Sequence, residues 1–413
     1  MLISGTQISG SLFYAPAEPP STSGQLWLWG FQAQFFNGSG FSPGGALGDG
    51  TSTSRSSPVQ TVSGGTNWRQ VSGAQGVAAG LKTDGTLWTW GNGTGGALGD
   101  NTTVTKSSPV QTVAGTTTWY QVAVGYGGGA GFGFGAAIKT SGQLWLWGDN
   151  TTFGQLGDNT LVSKSSPVQT IAGGTNWAYV AAGFGNVCCV KTDGTLWTWG
   201  RNTSGQLGDN TTVDKSSPIQ TIAGGTNWQQ VTTSIIASTA AIKTDGTLWT
   251  WGRNNYGQLG SNDTSSKSSP IQTVAGGSNW KQVAGGRRNF AAVKTNNTLW
   301  LWGGNNYGQL GDNSTNDRSS PVQTVAAGTN WKQVACGDNT TVAIKTNGTM
   351  WVWGSGLNGA LANNDPGSSK VSSPIQTVAG GSNWKSVAGG SASTGFSSMY
   401  GIYFFDAYNL YPG

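Results

Sequence analysis

Along most of the chain, apolar and polar residues alternate in short runs broken by Gly, Asn, Asp, Ser and Thr. A representative stretch is Thr195-Leu196-Trp197-Thr198-Trp199-Gly200, whose two indoles lie two positions apart and so share one face of an extended strand. Asp193-Gly194 precedes it, between two apolar alternations. This is a hairpin signal, because both turn residues tolerate positive φ. No window of useful length carries the 3.6-residue period of an amphipathic helix.

The alternation repeats. Trp-x-Trp-Gly occurs seven times, with its first Trp at 27, 88, 145, 197, 249, 300 and 351. Ser-Ser-Pro-(Val/Ile)-Gln-Thr also occurs seven times, with Pro at 58, 109, 167, 218, 270, 321 and 374. One further Trp follows each, at 68, 119, 177, 228, 280, 331 and 384, so all 21 Trp belong to the repeat. Each unit reads as four strands: the Pro-Val-Gln-Thr strand first, then the lone-Trp strand, an Ala-Ala-Ile-Lys strand and the Trp-x-Trp strand. Such a unit cannot bury both faces alone, and stacking around an axis solves this. The expected fold is an all-β, seven-bladed β-propeller with four antiparallel strands per blade, one domain over 1–413. Its units are about 31–91, 92–148, 149–200, 201–252, 253–303, 304–354 and 355–413, the last completed by 24–30. Pairing the N- and C-terminal segments in that last blade, with a third-strand candidate near 397–404, would remove an exposed sheet edge.

Composition narrows the chemistry. The chain has no His, one Glu, 9% charged residues and a net charge of +5. Without His, a Ser-His-Asp triad, a Cys-His pair and His-ligated metal sites are excluded. No Gly-Lys pair occurs, so there is no P-loop. The expectation is a protein that is not an enzyme and has no catalytic residues, metal or cofactor. The Gly-Asp-Asn-Thr segments (Asp100, Asp158, Asp209, Asp312) read as Asx turns rather than Ca²⁺ loops. Cys188, Cys189 and Cys336 read as small buried apolar residues. No apolar run is long enough to span a bilayer, the start lacks the pattern of a secretory signal, and the spread of Lys and Arg is too thin to favour nucleic acid.

The string Asn254-Asn255-Tyr256-Gly257-Gln258-Leu259-Gly260, just after a Leu-Trp-x-Trp-Gly, resembles the regulator-of-chromosome-condensation repeat family. The resemblance runs from about Gly24 to Phe404 and implies a seven-bladed propeller. It also implies the founding member's role, guanine nucleotide exchange on a small GTPase together with nucleosome binding. This chain departs from that family in the His usual before the third strand: Gly76-Val77, Gly135-Ala136, Asn186-Val187, Asn289-Phe290 and Thr340-Thr341 stand there. The near-identical, Asn/Thr/Gly/Ser-rich units look like prokaryotic or phage versions of the repeat.

Because strands alternate in direction, the loop after each lone-Trp strand and the long loop after each Trp-x-Trp strand share one propeller face. The departures from the repeat fall there. Phe35, Phe36 and Phe41 lie in the first long loop; Tyr126, Phe132 and Phe134 lie in a Gly-rich insertion; Arg287-Arg288 is the one adjacent basic pair. Variable loops on a rigid scaffold are where recognition usually resides, so these eight are the candidate binding residues. A cation before most Ser-Ser-Pro motifs (Arg55, Lys106, Lys164, Lys215, Lys267, Arg318) forms a ring that reads as solvated repeat charge, with an anionic partner as the alternative. The expected function is a binding or structural module on a virion or cell surface, such as a phage tail or capsid decoration, taking a protein or a surface glycan. The Tyr/Phe-rich segment from Tyr400 to Tyr411 would serve assembly. The alternative is a regulator or scaffold, located in the cytoplasm, that binds a small GTPase or chromatin.

Overall fold

The computed structural model describes residues 24–389 apart from 31–33, 37–40, 44, 75, 128–131, 327, 366–369 and 379, with backbone alone at 34–36 and 41–43. The expected strands at 397–404 and the Tyr400 to Tyr411 segment lie outside the described residues.

Among the described residues the chain forms a β-propeller of six four-stranded blades, not the seven expected. In blade 1 the order from the axis outward is Trp68–Ala74, Val77–Lys82, Leu87–Gly91 and Lys106–Gln111, all antiparallel. Blades 2 to 6 repeat this plan, each opening at a lone Trp: Trp119, Trp177, Trp228, Trp280 and Trp331. Among the described residues the seventh sector holds a two-stranded ladder, β1 (Trp27–Gly30) against β4 (Arg55–Gln60), with a separate ribbon of β2 (Gln34–Phe36) and β3 (Phe41–Pro43) between them in sequence. Trp384 to Gly389 lies at the axis in this sector without strand pairing. The sequence departs at the same place: after Trp384 no Ala-Ala-Ile-Lys and no Asp-Gly follow, the signals that mark the inner hairpin in other blades.

Sheet and sequence unit are also offset. The Pro-Val-Gln strand was expected to open a blade, but it closes the preceding one: Trp88 pairs with Gln111 and Trp197 with Gln220. Each long loop therefore joins strands of one sheet.

Burial accounts for the conserved-looking pattern inside the units. The second Trp of each Trp-x-Trp is buried and packs across to the neighbouring blade, as Trp199 does with Phe134 and Ala136. Its Nε1 donates to a carbonyl in the preceding long loop: Trp90 to Ala46, Trp147 to Ala97, Trp199 to Gln155, Trp251 to Gln206, Trp302 to Gln258 and Trp353 to Gln309. Trp29 makes the same bond to Ala360, 331 residues away, and so closes the ring. Trp29, Trp384 and Val387 also share one core cluster. On the short-turn face a Lys lies over two indoles in each blade, for example Lys191 over Trp177 and Trp197 at 4.6 and 4.5 Å.

The inner strands line a central channel of about 260 Å³. Their axis-side edges face the channel and would be bare, but Gln side chains cover them. Gln70 Nε2 donates to Val122 O and its Oε1 accepts from Val122 N, like one rung of a ladder. Gln121 does this to Val180, Gln230 to Val283 and Gln282 to Val334, while Gln333 donates to Val387. Tyr179 and Ser386 stand where the Gln would be in blade 3 and the seventh sector.

Cys188 packs toward blade 4 and Cys189 toward blade 2, on opposite faces of one strand. Burial pushes the Cys188 and Cys336 thiols up to about 12.

Candidate partner-binding face

The two loop types share a face. The backbone N–H after each Trp-x-Trp-Gly bonds to the loop after the inner strand: Asn92 to Gly76, Asp149 to Gly133, Arg201 to Gly185 and Arg253 to Ala237. The opposite face carries the short turns, where Trp119 N bonds to Gly85 O and Thr83 N to Asn67 O. Gly194 and its equivalents there hold φ near +76°, which only Gly adopts freely.

The motif that carried the family resemblance is structural. Asn254, fully buried, donates from Nδ2 to Asp263 and Ser265 and accepts Leu259 N at Oδ1, which holds the long loop in shape. Asn202 and Asn305 do the same in their blades. The loop aspartates make Asx turns: Asp209 Oδ1 accepts Thr211 N and Oγ1. They also pair with the cations of the expected ring: Asp49 with Arg55 at 2.7 Å, Asp158 with Lys164 at 3.9 Å, Asp209 with Lys215 at 3.7 Å, Asp263 with Lys267 at 3.2 Å and Asp312 with Arg318 at 2.7 Å. That ring is therefore largely neutralised by its own loops.

The expected binding residues separate. Phe35 and Phe36 lie on β2 and Phe41 on β3; their side chains lie outside the described part. Phe134 is fully buried between blades 2 and 3 and cannot serve as an anchor. Phe132 is half-buried beside Gly95 of blade 1. Tyr126 sits at the channel mouth, its ring 4.9 Å from Phe184, with backbone bonds from Tyr126 N to Gly183 O and from Gly185 N to Tyr126 O. Arg287 pairs at 3.7 Å with Asp338, a buried carboxylate in the loop of blade 6. Arg288 lies 4.5 Å over Tyr256 of blade 4, and its Nε is buried with no hydrogen-bond partner.

The structure adds residues that the sequence reading missed. The Arg201 guanidinium lies 4.5 Å over Phe184 and 5.2 Å over Phe153, joining Tyr126 in one aromatic and cationic group across blades 2 and 3. Burial lowers the Arg201 pKa; Asp214 opposes the shift and Arg253 adds to it, which places Arg253 within electrostatic reach. The sequence held one signal. The residue after Trp-x-Trp-Gly is Asn92, Asp149, Gly304 or Ser355 in other blades, but Arg201 and Arg253 in blades 3 and 4. This arc of stacked guanidiniums and rings, positioned by rigid sheets, can hold a partner's side chains. Among the described residues no group of three His, Cys, Asp or Glu is placed to hold a metal ion, and no helix is long and apolar enough to cross a membrane.

Known proteins agree with this architecture. The chain is 29% identical over 328 residues to the ultraviolet-B receptor UVR8 of Arabidopsis thaliana, covering 77% of this chain and 72% of the receptor. It is 28% identical over 302 residues to the human E3 ubiquitin-protein ligase HERC2, covering 71% of this chain but spanning only 6% of the ligase. Among solved structures, yeast RCC1 (Prp20) bound to Kap60 superposes with a TM-score of 0.78 at 17% identity, over 98% of this chain and 95% of that one. Human WBSCR16 superposes with a TM-score of 0.72 at 19% identity, over 93% and 99%. The pattern of the RCC1-like domain matches residues 33–397, and the chain belongs to that family.

Proposed function

We propose that this protein is a non-catalytic, protein-binding propeller, a regulator or scaffold that engages its partner through the long-loop face. One observation carries the reading: departures from an otherwise uniform repeat (Tyr126, Phe184, Arg201, Arg253, Arg287, Arg288) gather on that face, while the opposite face repeats its short turns. Family neighbours support a protein partner over a glycan. Yeast Prp20 was solved bound to Kap60, and another Prp20 structure concerns its binding to Gsp1p and histones. The relatives named are eukaryotic, which favours the regulator or scaffold reading and gives a virion role no support.

The test uses the purified chain with a small GTPase and with histones, measured by biolayer interferometry. Phe184→Asp blocks the long-loop face and Asp193→Arg the short-turn face. Binding lost with the first and kept with the second supports the reading. Loss with the second alone places the contact on the wrong face and defeats it.

A further inference from the structure

Building on the proposed long-loop face, the geometry points to a particular kind of partner: an acidic protein segment, held by Arg201, Arg253 and Arg288 across blades 3 to 5.

Charge complementarity carries this step. The three arginines lie on consecutive blades, and Arg201 and Arg253 occupy the same repeat position. The loop carboxylates of these blades accept backbone N–H groups or pair with Arg287. Asp214 accepts Asn202 N at 2.6 Å while acting on Arg201, Asp317 accepts Asn305 N at 2.7 Å, and Asp338 pairs with Arg287. No ion pair joins Arg201, Arg253 or Arg288 to a carboxylate among the described residues. Rim cations pair with loop aspartates, and Lys191 and Lys243 of the short-turn face act on the turn carboxylates Asp193 and Asp245. Arg201, Arg253 and Arg288 thus place three of the chain's cations on one arc, where Asp214 is the carboxylate that acts on Arg201.

Arg201 and Arg288 are also preorganised. Arg201 lies over Phe184 and Phe153 and donates from Nε to Thr203 Oγ1 at 3.0 Å; Arg288 lies over Tyr256. Stacking occupies the flat face of a guanidinium and leaves its in-plane donors for a carboxylate, with part of the ordering cost already met. Carboxylates spaced along a peptide suit this better than a nucleic-acid backbone, which calls for denser cationic contacts along its length.

The test is fluorescence anisotropy with a labelled oligoglutamate peptide at low and near-physiological salt, with a Gly-Ser peptide as control. Wild type is expected to bind oligoglutamate in a salt-sensitive way. The combined Arg201→Ala, Arg253→Ala, Arg288→Ala variant should lose at least about tenfold in affinity. Arg→Lys at the same positions should restore part of it, and Lys191→Ala with Lys243→Ala should leave it unchanged; circular dichroism of each variant checks the fold. Absence of oligoglutamate binding, or loss only with the lysine variants, overturns the inference. If the Phe184→Asp test still removes a protein partner while oligoglutamate fails to bind, the face stands and the acidic segment falls. If that partner ignores the long-loop block, both fall.

Discussion

Replacing Gln282 by Leu tests how far the channel amides hold the blades together. Gln282 Nε2 donates to Val334 O at 2.9 Å and its Oε1 accepts Val334 N at 3.1 Å. Leu keeps most of the volume and removes both bonds. Each such bond contributes about 0.5–1.5 kcal/mol net, while a stranded buried group costs about 1–3 kcal/mol. The channel decides between these. At about 260 Å³ it is several times the ~30 Å³ share of a water molecule, so water can reach the freed Val334 groups and the smaller figure applies. The expected loss is therefore about 1–3 kcal/mol. An unfolding entropy near 2.1 cal/mol/K per residue, over roughly 370 folded residues, gives about 0.8 kcal/mol/K and a fall in Tm of about 1–4 °C. Differential scanning calorimetry reads it directly. No measurable fall refutes the stabilising role of the amides, and a fall beyond roughly 8 °C shows that water does not reach Val334.

Further expectations follow from the same geometry. Ser386→Gln should supply the missing amide toward Val71 and raise Tm by about 1 °C, by the bond energies above; calorimetry showing a decrease would mean that 384–389 does not follow the path of an inner strand. Gly135→Ala should destabilise strongly, because its Cβ would lie 2.3 Å from the ring of Trp147, and reduced soluble yield with a lowered Tm is the readout. Trp302→Phe should cost about 1–3 kcal/mol through the lost Nε1 bond to Gln258 O and the smaller ring, measured by urea unfolding. For pH, the Cys188 and Cys336 thiols are raised in the fold, so the unfolded chain releases their protons first. That part of the stability is complete below about pH 9 and is lost as pH rises toward about 12. A Cys188→Ala, Cys336→Ala variant should show a flatter alkaline decline in Tm.

The architecture was legible because every Trp falls in one of two motifs and each motif has a single structural job. What the pattern could not carry was which strand pairs with which. All four strands alternate alike, so the offset that places Lys106–Gln111 at the rim of blade 1 becomes visible only from Trp88 facing Gln111. The seventh blade was overcounted because its Trp and Pro signals persist after its hairpin pattern has gone. Phe134 was misread for a related reason. It pairs with Gly148 as the polar Asn186 pairs with Gly200, and the preceding Gly-rich insertion hides that register. Arg201 is not legible in the sequence as a site residue because its aromatic partners come from other loops, Phe153 from the long loop of blade 2, and adjacency of that kind is tertiary.

The bond from Trp29 Nε1 to Ala360 O has a consequence for assembly. The equivalent indole bond in each of the six blades joins segments 44–50 residues apart, so an arc of blades can form as the chain emerges, while this one waits for both ends of the ring. Until then the arc ends in two unlike surfaces, one presenting the Trp29 indole and the other the Ala360 carbonyl, and each is complementary to the other end of a second copy. Such a head-to-tail contact does not close by symmetry and propagates into open chains. Ring closure within one molecule therefore competes with head-to-tail polymerisation between molecules, and the bond from Trp29 to Ala360 is the contact that the two outcomes share.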